Sequence, residues 1–199
     1  MSEKTQKRRA DLRARITDAA ETAVISGGIS AIKARDLARE AGCALGAIYT
    51  VFDDMTDIVL AVNSRTFSRL GQAVTAAVEA QDTPAPDDQL IVMAKAYLRF
   101  AADNAFAWRS LFDVEMSTDK DVPEWYFDEM SRLLKLIADP LATLRPDLPK
   151  EEVFLLARAM FSSVHGIVLL GLEKRISGVP LPDIERMIET ILRNFAGSS

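Results

Sequence analysis

Residues 38–52, AREAGCALGAIYTVF, confine the chain more tightly than any other stretch. Gly42 separates two short helical runs, and Ala38 stands four residues before it. Two helices that cross steeply through a tight turn need a small residue where they meet and a glycine in the turn. They also need apolar residues that lock the pair. Ala38, Gly42 and the set Leu37, Ala41, Cys43, Ile48 and Val51 fall at those offsets. The stretch reads as a helix-turn-helix whose second helix is short and stands proud enough to enter a major groove. Cys43 fits the turn as a small hydrophobe. Tyr49 can pack its ring while offering its hydroxyl to a phosphate.

The flanking sequence is helical throughout. Leu12, Ile16, Ala20 and Val24 repeat at four over residues 8–26, and SGG at 26–28 ends that helix. Short helices are expected at 32–40 and 44–51. Asp54 and Asp57 then open a long helix to about residue 80. Further helices are expected near 88–102, 104–116, 123–144 and 150–174, with Pro140 kinking or ending the third of these. A final helix after the break at 177–182 shows Leu181, Ile184, Ile188, Ile191 and Phe195 on one stripe. The expected fold is all-α with about nine helices: a three-helix N-terminal domain over 1–53 and a helical domain over 54–199.

Charge is unevenly spread. The net charge is −5, but residues 1–52 hold nine Lys/Arg against six Asp/Glu, and the remainder holds 15 against 23. A basic end on an acidic body suits a protein that presents one part to a polyanion. The N-terminus carries basic residues without the apolar core of a signal peptide, and a single cysteine excludes an intrachain disulfide. Both fit a cytoplasmic setting. The longest apolar stretch, 159–172, is about fourteen residues, short of the roughly twenty that a membrane span needs.

ARDLAREAGCALGAIYTVF resembles the signature of TetR-type repressors: an apolar-Ala pair, Ala-Gly-apolar, then Gly-x-apolar-Tyr-x-x-Phe. The resemblance covers about residues 8–60. It implies an all-helical homodimer with an N-terminal DNA-binding domain, a C-terminal ligand and dimer domain, and repression relieved by a small molecule. MFSSVHGIVLLGLEKR, 160–175, resembles the His-Gly element of the WHG-type C-terminal subfamily but lacks its tryptophan. Two further departures concern DNA. FDDMTD places Met55 between acids where the family usually has lysine, which removes a phosphate contact. Ala44, Leu45 and Ala47 stand where polar base readers are common. Base readout would then rest on thymine methyl contacts from Ala44, Leu45 or Ala47, with Tyr49 and Thr50 as the polar groups. Lys33, Arg35, Lys7, Arg8 and Arg9 would carry the phosphate term.

The remaining constellations point to binding rather than catalysis. His165 is the single histidine and has no nucleophile-and-carboxylate motif beside it. One His with one Cys cannot form a typical zinc site, so no metal or cofactor is expected. Trp108, Phe112, Met116, Trp125, Tyr126 and Met130, with His165, are candidates for an apolar ligand pocket between helices. A helix uncharged on every face over 159–172 must be buried. Packed with the last helix against the same pair of a twin, it would form a four-helix interface. Ser162, Gly166, Ile184, Ile188 and Ile191 would lie at its centre. The expected partners are an operator DNA duplex, a largely apolar small effector and a second copy of the chain. Two other classes stay open on the residues alone: a helical enzyme or carrier that has lost DNA binding, and an adaptor that binds protein through its apolar helix face.

Overall fold

A computed structural model describes residues 2–82, 84–114, 123–173 and 178–196. Among the described residues the chain forms nine α-helices and no strand. They are α1 Glu3–Gly27, α2 Ala34–Glu40, α3 Leu45–Ile48, α4 Met55–Glu79, α5 Pro86–Asp103, α6 Ala105–Ser110, α7 Glu124–Leu144, α8 Lys150–Leu172 and α9 Leu181–Ala196. Helix α1 starts five residues earlier than the apolar repeat predicts. Ser2 caps it, with its hydroxyl 3.4 Å from the Thr5 amide. Pro140 does not end α7, which runs on to Leu144. Pro140 is buried there beside the buried Ala138 and Leu141. We attribute the continuation to this packing, which outweighs one lost backbone bond.

The helices divide into two compact units. The first comprises residues 1–68 and 104–126, the second 69–103 and 127–199. The packed units part inside α4, and α6 belongs with the N-terminal helices. In the first unit Ile16, Ala20 and Val24 of α1, Leu37 of α2, Ile48 of α3, Ile58 and Val62 of α4 and Ala107 of α6 share one core. Arg65 of α4 reaches Asp18 and Glu21 of α1, each at 2.7 Å. A buried polar pair sits within this unit. Asn63 Nδ2 donates to the Ser110 carbonyl and Ser110 Oγ donates to Asn63 Oδ1, both at 2.7 Å. Low local dielectric strengthens such a reciprocal pair and makes its disruption costly.

In the second unit α5, α8 and α9 pack together. Helices α8 and α9 meet at Gly171, where an added Cβ would lie 2.6 Å from Ile184 Cδ1. Lys95 pairs with Glu189 at 2.9 Å and ties α5 to α9. By length and composition α8 could cross a membrane, with a mean hydropathy of 1.9 over its most apolar window, of which 28% is buried. The continuous helix is thus longer than the fourteen-residue stretch suggested.

Two glycines near the helix-turn-helix answer to different constraints. Gly42 has φ +62°, a left-handed conformation. Gly46 lies in α3 without positive φ, and a Cβ there would meet no atom within 4 Å. Gly42→Ala should therefore cost about 1–2 kcal/mol of stability. Gly46→Ala should leave stability unchanged or raise it by up to about 1 kcal/mol. Urea midpoints measured on the two variants check this, and equal losses would contradict it.

Candidate nucleic-acid interface

The turn between α2 and α3 closes through the backbone. The Cys43 amide donates to the Ala38 carbonyl at 2.9 Å, and Cys43 packs half-buried against the first unit's core. Lys33 precedes α2 and Arg35 lies in its first turn, both open to solvent at least in part. Helix α3 has one buried side, where Ile48 is fully enclosed. Its other side is open: Leu45 is 43% and Tyr49 51% exposed. Gly46 and Thr50 are exposed as well, and the residues of this side are set out in one turn of helix. Ala44 caps that turn and Ala47 lies within it. The structure therefore brings Ala44, Leu45, Tyr49 and Thr50 together at one short helix. The Tyr49 ring packs less than its apolar body suggested. Thr50 Oγ1 donates to the Ala47 carbonyl at 2.7 Å, so its hydroxyl is left as an acceptor for outside groups.

The acids of FDDMTD have a local explanation. Asp54 Oδ1 accepts the Asp57 amide at 2.9 Å, and Asp57 Oδ2 accepts the Asp53 amide at 3.0 Å. The two carboxylates cap α4 and complement its dipole. Met55, at the first position of α4, packs partly buried against the first unit's core. The residue that replaces the family's usual lysine is thus held by packing.

The basic N-terminus is divided in its roles. Arg8 is exposed. Sequence reasoning assigns Arg9 to phosphate, but its guanidinium donates to the Thr50 carbonyl at 2.7 Å. Arg13 donates to the Val51 carbonyl at 2.7 Å, with its guanidinium carbon 4.1 Å from the Phe52 ring centroid. Arg15 donates to the Ala41 carbonyl. Sequence reasoning missed Arg13 and Arg15. Arg9 and Arg13, four apart and one helical position off the Leu12 stripe, carried a readable signal.

Of the residues expected to line an apolar pocket, Trp108, Phe112, Trp125 and Tyr126 lie in the first unit. Trp108 is buried in the first unit, edge-to-face with the exposed Phe112 at 5.7 Å. Trp125, exposed, meets the buried Tyr126 at 5.6 Å, and Tyr126 meets Phe67 at 5.4 Å. Met130 and His165 belong to the second unit, and Met116 lies outside the described residues. His165 Nδ1 is 2.7 Å from the Tyr97 hydroxyl, and its ring stacks on Phe161 at 5.6 Å. Burial holds its pKa below the usual histidine value by disfavouring the charged imidazolium. Tyr97, Asn63 and Ser110 were not singled out by sequence. Asn63 and Ser110 are polar residues at otherwise inward-facing helix positions, a signal that periodicity alone ignores.

The stripe assigned to a subunit interface also divides. Ile184 and Ile188 are buried within the protomer, at 1% and 0% exposure, which corrects their assignment to a surface between subunits. They have no area left to lose to a twin. The outward apolar residues are Leu155 and Leu170 of α8, each 61% exposed, with Met187 and Phe195 of α9. Gly166 and Ile191 are half-buried.

The comparisons with known proteins agree with this arrangement. The family model for bacterial regulatory proteins of the tetR family matches residues 16–62. The model for the tetracyclin repressor-like C-terminal domain matches 90–195. No curated protein matches the chain. Among solved structures, a protein of unknown function from Rhodococcus sp. RHA1 superposes with a TM-score of 0.74 at 21% identity, over 92% of this chain and 94% of that one. The TetR family transcriptional regulator PfmR from Thermus thermophilus has a TM-score of 0.59 at 18% identity, covering 89% and 96%. FadR from Bacillus subtilis, in complex with stearoyl-CoA, has a TM-score of 0.66 at 15% identity, covering 90% and 96%. Both halves of the family's architecture are matched, the C-terminal one over just over half of the sequence, and the chain belongs to the TetR family of ligand-responsive, DNA-binding transcription regulators.

Proposed function

We propose that this regulator is a cytoplasmic repressor that binds a palindromic operator as a homodimer and is released by a small, largely apolar molecule. The observation that carries the DNA reading is the outward side of α3. It exposes Leu45, Gly46, Tyr49 and Thr50 while Ile48 anchors the opposite side. An apolar surface of this kind suits thymine methyl groups better than hydrogen-bonding base edges. Lys33, Arg35 and Arg8 are cations placed to meet phosphates. Two copies would present their α3 helices to major grooves about 34–36 Å apart.

The dimer reading rests on α8 and α9. Leu155, Ser162, Gly166 and Leu170 line one side of α8, and Met187, Ile191 and Phe195 one side of α9. A Cβ on Gly166 would meet nothing within 4 Å inside the chain. A small residue on an open apolar helix face suits close approach by a second helix. The same pairing gives the apolarity of α8 an occupant other than lipid.

Release needs an effector that binds the DNA-competent and DNA-incompetent states unequally, and DNA must weaken effector binding by the same factor. Helix α6 supports such coupling within the first unit. It packs against α1, carries the buried Trp108 and joins α4 through the Asn63–Ser110 pair. The fold of Bacillus subtilis FadR holds stearoyl-CoA, which is compatible with an apolar effector here.

Two variants test this reading. Tyr49→Phe should weaken specific and random DNA binding alike, by about 0.5–1.5 kcal/mol for one lost hydrogen bond per subunit. Unchanged affinity at low salt would remove the phosphate role. Gly166→Leu should shift the protein toward monomer in sedimentation velocity. An intact dimer would place the interface elsewhere.

A further inference from the structure

The recognition helix is a single turn. Helix α3 spans Leu45–Ile48, and its backbone leaves helical geometry at Tyr49. One turn fixes several dihedral angles for very few hydrogen bonds, so it cannot hold its own orientation. Its far end is followed by two carbonyls, those of Thr50 and Val51. Both are taken by arginines from a different helix: Arg9 donates to Thr50 and Arg13 to Val51, each at 2.7 Å. Arg13 also lies over the Phe52 ring. The two arginines are one turn apart on α1 and form a fork whose tips hold consecutive carbonyls. A cation is favourable at the carbonyl end of a helix, and a hydrogen bond from a charged donor is stronger than a neutral one.

We propose that Arg9 and Arg13 are positioning residues for DNA recognition. They fix the angle at which α3 meets the groove, and they set sequence preference without neutralising phosphates. This rests on the DNA-binding reading above. It separates the basic residues of the N-terminus into two groups. Lys33, Arg35 and Arg8 contribute charge to the duplex, whereas Arg9 and Arg13 contribute the pose of the helix that reads it. The distinction has a physical signature. A phosphate contact adds equally to binding of every sequence and raises the salt dependence by about 0.9 per contact. A positioning contact acts on the sequence-dependent part alone.

The test uses full-length Arg9→Gln and Arg13→Gln, with Arg13→Lys as the conservative variant. The probes are a duplex enriched by the wild-type protein from a random pool and a random duplex of equal length, each across a salt series. The expected result is a loss of about tenfold or more on the enriched duplex, the scale of one charged hydrogen bond. The random duplex should show little loss, and the logarithmic salt slope should not change. Lysine should restore only part of the preference, since it cannot both donate to Val51 and lie flat on Phe52. An equal loss on both duplexes, with a slope reduced by about 1.8 per dimer, would make these residues phosphate contacts and overturn the proposal. An unchanged ratio of affinities would overturn it as well. A general folding defect lowers the active concentration but not that ratio. If Arg13→Gln does not fold, Arg9→Gln, which alters an exposed side chain, decides alone. Failure of the wild type to enrich any duplex would overturn the DNA-binding reading itself, and this inference with it.

Discussion

A recognition helix of four residues depends on whatever surrounds it. Helix α3 has one fully buried anchor, Ile48, and is bounded by the left-handed turn at Gly42 and the departing chain after Thr50. Much of the first unit bears on holding that turn of helix still. The core of α1, α2, α4 and α6 receives Ile48. Arginines of α1 take the carbonyls of Ala41, Thr50 and Val51. The Asp54 and Asp57 caps start α4 soon after it. The short helix thus gains from tertiary contacts the definition that its own hydrogen bonds cannot supply.

This dependence explains which parts of the fold could be read from sequence. Helix positions followed from apolar spacing, and the turn followed from Gly42, because both are local properties. The family signature over 38–52 was legible for the same reason. Pro140 does not end α7, and its burial there is a tertiary fact that a local breaker rule does not contain. Arg9 shows the same limit: a basic N-terminal residue near a helix-turn-helix suggests phosphate, and only the fold brings the Thr50 carbonyl within its reach. The Ile184 and Ile188 stripe is already buried within the protomer. A periodicity identifies the inward side of a helix without saying whether the same chain or a second copy covers it.

The second unit bears on the other half of the family's behaviour. Helix α8 is buried on one side against α5 and α9, and its opposite side carries Leu155, Ala159, Ser162, Gly166 and Leu170. Exposed apolar side chains at helical spacing, with small residues among them, favour another helix over water. In the first unit, the Asn63–Ser110 pair links α4 to α6, and α6 packs against α1. That pair is buried, and a low local dielectric strengthens it.

If two copies of this surface read a duplex together, the pairing must show in the sequences they select. Selection of bound sequences from a random duplex pool by the wild-type protein tests it most directly. Paired reading predicts enrichment of two half-sites related by a two-fold axis, with centres separated by about one helical turn or a small multiple of it. It also predicts half-sites rich in thymine at the contacted positions. Recovery of no preferred sequence, or of a single half-site without its symmetric mate, would contradict it.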